Sequence, residues 1–117
     1  MAGFFDRAMK LMRKHDPQTQ EDGFAMLQPV ASEFVTELIA AFEVETDHGL
    51  KGWLLELIAS AGSEEAFPVL ARELTSKDES LSYWAASGLT KLNSKAARTL
   101  LWENGPPAWP SVGPPTR

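Results

Sequence analysis

Apolar positions recur along this chain with helical spacing. Leu50, Leu54, Ile58 and Ala61 fall at i, i+4, i+8 and i+11, which places them on one stripe of an α-helix. The same stripe returns 31 positions later as Leu81, Ala85, Leu89 and Leu92. The shift also carries Asp47 onto Asp78, Trp53 onto Trp84, Ser63 onto Ser94, Ala66 onto Ala97 and Leu70 onto Leu101. Gly62 and Asn93 match as residues that tolerate a left-handed turn. A recurrence of this length marks stacked helical hairpins, each too thin to bury its apolar side alone. The expected fold is all-α, a small right-handed α-solenoid of about seven short helices.

Residues 3–14 predict an amphipathic helix. Phe4, Phe5, Ala8, Met9, Leu11 and Met12 share one side, with Arg7, Lys10, Arg13 and Lys14 on the other, and the helix is expected to cap one end of the stack. Asp16-Pro17 interrupts it. Thr19 followed by Asp22 resembles a capping box with Asp in place of Glu, opening a second helix that runs to Gln28 with Phe24 and Leu27 inward. A third helix is expected over 32–43, with Phe34, Val35, Leu38, Ile39 and Phe42 at helical spacing. Asp47 is placed to cap a fourth helix over 49–61, and Gly62 to end it. Ser63 caps a fifth, with Glu64, Glu65 and Pro68 early, where acids and a missing N–H are tolerated. Its stripe is Phe67, Leu70 and Leu74. Asp78 caps a sixth helix over 79–92, and Ser94 a seventh over 95–103, with Ala97, Leu100, Leu101 and Trp102 inward. Residues 105–117 hold five of the eight prolines and predict an extended or disordered tail. One helical domain over 1–104, with 1–15 as its cap, is therefore expected ahead of that tail.

Composition narrows the function classes. The chain has 117 residues and no cysteine, which excludes disulfides and thiolate metal sites. No run approaches the ~18 apolar residues of a membrane span, and the N-terminus lacks a signal-peptide pattern, so a cytoplasmic protein is expected. A net charge of −5 argues against general nucleic-acid binding. That charge is uneven. Residues 1–15 carry Arg7, Lys10, Arg13 and Lys14 against Asp6, whereas 16–50 carry eight carboxylates and no Lys or Arg. Glu33, Glu37, Glu43 and Glu45 of this run predict an acidic surface that steers a basic partner.

Chemistry-bearing constellations are sparse. His15 and His48 lack metal-ligand spacing, and the sequence holds no phosphate-binding glycine loop and no nucleophile elbow. Glu56, set among Trp53, Leu54, Leu55 and Leu57, is the one carboxylate in an apolar context. A non-enzymatic protein without cofactor or metal is expected.

The stretch Leu81-Ser82-Tyr83-Trp84-Ala85-Ala86-Ser87-Gly88-Leu89-Thr90-Lys91-Leu92-Asn93 resembles the second helix of a short HEAT repeat. Leu81 takes the branched apolar position, Ala85 and Ala86 lie in the small-residue run, and Leu89 and Leu92 take the two leucines. The family's Arg position is Lys51 in one copy and Ser82 in the other. The resemblance implies an α-solenoid whose second helices line a concave face. Lys51, Gly52, Leu55, Glu56 and Ser60, with Ser82, Tyr83, Ser87 and Lys91, would then face a partner. Gly52/Tyr83, Leu55/Ala86 and Glu56/Ser87 differ between copies, as specificity positions would. Small acidic proteins of this kind resemble bacterial immunity proteins that neutralise a basic effector toxin. The alternative is a ligand- or cofactor-handling protein similar to HEAT-like bilin lyases, with Trp53, Tyr83 and Trp84 forming an aromatic groove. A nucleic-acid-binding face like that of HEAT-like DNA glycosylases would have only Lys51 and Lys91.

Overall fold

The computed structural model describes residues 3–104, which form seven α-helices and two 3₁₀ turns, without strands among the described residues. The helices are α1 (Phe4–Met12), α2 (Pro17–Leu27), α3 (Val35–Val44), α4 (His48–Ala61), α5 (Phe67–Glu73), α6 (Glu79–Leu92) and α7 (Lys95–Asn104). The 3₁₀ turns are Gln28–Glu33, ahead of α3, and Glu64–Ala66, running into α5. The expected tail lies outside the described residues. No described helix is long and apolar enough to cross a membrane.

The even-numbered helices begin alike. Asp47 accepts from the Leu50 N–H (2.9 Å), and Asp78 from the N–H groups of Ser80 and Leu81 (2.8 and 3.1 Å). Asp16 does the same for Thr19 (2.9 Å) and also takes its hydroxyl, and these bonds hold the Asp16 carboxyl below its ordinary pKa. Thr19 is therefore not the cap of α2, which starts at Pro17, where a missing N–H is harmless. The caps Asp16, Asp47 and Asp78 stand 31 residues apart, so the repeat has a third, earlier copy. Buried Gly23 and Leu27 of that copy match Leu54 and Ile58, then Ala85 and Leu89.

The helix ends obey local chemistry. Gly62 and Asn93 adopt left-handed φ values of 65° and 51°, closing α4 and α6 as expected. Ser94 accepts from the Ala97 N–H (3.1 Å), and Ser63 from Glu65 (3.2 Å). The third helix begins at Val35 rather than Ser32. Pro29 shapes the segment before it into a 3₁₀ turn broken by non-helical Val30.

α4 is the central element. Its Leu54, Leu55, Leu57 and Ile58 are fully buried, and it lies beside α6. His48 Nε2 at its start faces Asp78 Oδ2 at the start of α6. At the other end Gly62 lies beneath the Lys91 stem. Start meets start and end meets end, so α4 and α6 run parallel. The same holds for α3 and α5, tied by Thr36–Glu65 near their starts and Glu43–Arg72 near their ends. It holds again for α1 and α3. Phe4 and Phe5 stack on Phe34 (6.0 and 5.7 Å) at one end, and Arg13 bonds Glu45 (2.7 Å) at the other. The apolar side of α1 (Ala8, Met9, Met12) is buried, with α2 packed against it. Trp102, expected inward, is 53% exposed, because Ala97 and Leu101 are the residues of α7 turned to the core.

Close approach depends on missing side chains. A Cβ on Gly88 would meet both Leu70 methyl carbons at 2.9 Å and the Ala59 Cα at 3.0 Å. On Gly23 it would meet the Ala8 carbonyl oxygen at 2.5 Å. Gly52, inside α4, has nothing within 4 Å. The three glycines should thus respond with opposite signs in urea unfolding. Gly88→Val and Gly23→Ala are each expected to destabilise by about 1–3 kcal/mol through overpacking. Gly52→Ala should stabilise by roughly 0.5–1 kcal/mol through helix propensity.

Candidate functional site

The sequence nominated two surfaces, the acidic run and the outward face of the second helices. The fold treats their members differently. Glu43 receives a two-pronged bond from the Arg72 guanidinium (2.9 and 2.7 Å). That bond outweighs partial desolvation and holds the Glu43 carboxyl below its ordinary pKa. Glu45 is also bound. Burial works to raise its pKa, but the Asp47 and Thr46 N–H groups and the Arg13 guanidinium prevail and lower it. Glu45 also has a repeat counterpart. Ser76, 31 positions on, likewise accepts from the N–H of the next cap, Asp78 (3.1 Å). Glu43 and Glu45 are thus joints between successive hairpins.

Glu33 and Glu37 are exposed at the start of α3. The Thr36 hydroxyl donates to Glu65 Oε2 (2.5 Å), which draws Glu64 and Glu65 to the same edge. Four exposed carboxylates therefore line the starts of α3 and α5. Sequence reasoning assigned Glu64 and Glu65 only to a helix start. The signal was present, because Glu33 maps onto Glu64 under the 31-residue shift.

On the second helices, Leu55 is not a partner-facing residue. It is 0% exposed, as is its counterpart Ala86, so the Leu/Ala mismatch is one of core volume. Lys51 is half-buried, with Nζ 4.2 Å from the centre of the Phe42 ring, a cation–π contact. Lys91 is exposed, its stem lying along Gly62 at the carbonyl end of α4, where a cation is favoured. Gly52, Glu56, Ser60 and Ser87 are half-buried. Among the described residues Glu56 receives no hydrogen bond, and burial raises its pKa. Tyr83 is 50% exposed and meets Trp84 edge-on at 5.0 Å.

Trp53 stacks edge-on against Phe24 (5.2 Å) and, with Met12, His15, Gln20 and Leu50, lines a cavity of about 280 Å³ between the α1–α2 corner and the start of α4. Tyr83 and Trp84 lie outside that lining, and both Trp53 and Trp84 pack half-buried on the core. Among the described residues no three His, Asp or Glu side chains are grouped to hold a metal. No protein-family model, curated protein or solved structure matches the chain significantly.

The two perturbed glutamates should answer to pH with opposite signs. The lowered pKa of Glu43 contributes stability above the unfolded carboxylate value near ~4.3, lost as pH falls through the folded value. Glu43→Gln should cost about 0.5–1 kcal/mol at pH 7, a difference that fades in acid. The raised pKa of Glu56 penalises folding once pH exceeds its unfolded value. Glu56→Gln should therefore stabilise at pH 7, by up to about half a kcal/mol after solvent screening, with no gain below pH ~4. Thermal melts of both variants from pH 3 to 7 measure this.

Proposed function

We propose that the chain is a cytoplasmic, non-enzymatic protein-binding module that captures and neutralises, or scaffolds, one basic partner, as an immunity protein does with a basic effector toxin. In this reading its hairpins form a short right-handed HEAT-like solenoid. The observation that carries the reading is the edge at the starts of α3 and α5, where the Thr36–Glu65 bond groups Glu65 with exposed Glu33, Glu37 and Glu64. Like charges held together repel one another in the free protein. An approaching cation relieves that repulsion, and the summed field speeds encounter. Tyr83 adds a half-exposed aromatic on a rigid helix, a residue type favoured as an interface anchor. Glu43 and Glu45 enter only indirectly, by fixing the hairpins that carry this edge.

The test uses the proteins that co-purify with the chain from its native host and stopped-flow association at several salt concentrations. Reversing Glu33, Glu37 and Glu64 to Lys should slow association at least ~10-fold at low ionic strength, and raising salt should slow the wild type likewise. Reversing Glu43 and Glu45 should act mainly on the melting temperature. Absence of a complex, or an association rate indifferent to both salt and the triple reversal, rejects the reading.

A further inference from the structure

The stack has an end where the repeat stops. Within the stack each second helix is covered by the next, as Ala59 of α4 lies against Gly88 of α6 and Gly62 beneath Lys91. Adding 31 carries Ala59 onto Thr90 and Gly62 onto Asn93. The same stripe of α6, at i, i+3 and i+7, holds Tyr83, buried Ala86 and exposed Thr90. α5 shows which side of α7 faces the same way. Glu65 and Arg72 turn back toward α3, while half-buried Phe67 and Ala71 fall on the other side of that helix. Their counterparts 31 positions on are Arg98 and Trp102. Among the described residues no helix follows α7 to pack on this face. Tyr83 and Trp102, two of the exposed large apolar side chains, lie on it, and a stack needs its terminal layer shielded.

The chain that follows α7 suits this face. Residues 105–116 carry no charge and set Pro106, Pro107 and Pro110 around Trp109. Such a sequence favours a polyproline II segment, whose carbonyls have no partners of their own and whose prolines bring no N–H. The face answers that chemistry. Its Tyr83 and Trp102 rings are flat surfaces for proline, and the Tyr83 hydroxyl, the Trp102 indole N–H and the Arg98 guanidinium are donors for carbonyls. The reach is right as well. α6 and α7 are joined through Asn93 and Ser94 alone, so they run antiparallel, and Asn104 returns to the end where α6 begins, near Tyr83. From Tyr83 to Thr90 the helix rises about 10 Å, and Pro106–Pro110 extended as polyproline II spans about 15 Å. We infer that segment 106–110 of this chain covers the end of its own stack, lying across Tyr83, Thr90 and Trp102. Its tether gives it an effective concentration that an untethered competitor must exceed. The inference does not rest on the basic-partner reading. It meets that reading only at Tyr83, where a partner displaces the segment to gain the ring.

The chain has no cysteine, so Ser111→Cys gives the full-length protein a single attachment point for a nitroxide label. The amide NMR signals of Tyr83, Thr90, Arg98 and Trp102 should be lost through relaxation by the label, while those of α1, at the opposite end of the stack, keep their intensity. Replacing Pro106, Pro107 and Pro110 together by Ser should restore the lost signals. So should Tyr83→Ser with Trp102→Ser. The proline variant changes no residue of the helices, so it reads docking even where the double variant unfolds. Reversal of Glu33, Glu37 and Glu64 to Lys should leave the pattern as it is, so the two proposals fail separately. Absence of signal loss at Tyr83 and Trp102, or loss spread evenly along the chain, overturns the inference. Loss that survives the proline replacement overturns it too. So does loss that appears only on mixing the spin-labelled chain with a second, isotope-enriched one, since the segment would then come from another copy.

Discussion

The contact between α4 and α6 constrains the rest of the molecule. At Gly88 the second helix of one hairpin comes within van der Waals reach of the Ala59 backbone of the one before, and a Cβ there would press on both Ala59 and the Leu70 methyl groups. Once these helices lie parallel at that distance, the segments joining them have little freedom. Each must leave α4 or α6 through a left-handed residue, Gly62 or Asn93, and return as an antecedent helix on the opposite side. α3 and α5 then run alongside each other with their ends in register. Thr36–Glu65 and Glu43–Arg72 are consequences of that register. As exposed ion pairs and hydrogen bonds they contribute ~0–1 kcal/mol each, far less than the buried leucines of α4 contribute by leaving water.

Charge is distributed accordingly. Eight carboxylates between Asp16 and Asp47 look in the sequence like one acidic surface, but the fold sorts them by role. Asp16 and Asp47 cap helices, and Glu43 and Glu45 join hairpins. The joints use Arg13 and Arg72, cations from a neighbouring hairpin. Glu21 and Asp22 stay exposed on α2, and Glu33 and Glu37 form an exposed edge with the later pair Glu64 and Glu65.

The helices and their ends were legible because capping and left-handed turns are local chemistry, written in Asp47, Asp78, Gly62 and Asn93. The earliest repeat copy was harder to see. Thr19 and Asp22 replace Leu50 and Trp53, so apolar identity is lost, and only the cap and two buried positions persist. The site was less legible still. Leu55 differs from Ala86 because neighbouring helices divide core volume unequally, a difference indistinguishable in sequence from surface variation. Glu43 and Glu45 are held by cations 29 and 32 residues away, and no local pattern announces such a pairing. The surroundings of the aromatic residues were hidden for a similar reason. Trp53 and Trp84 repeat in sequence, but Phe24 stands beside the first and Tyr83 beside the second.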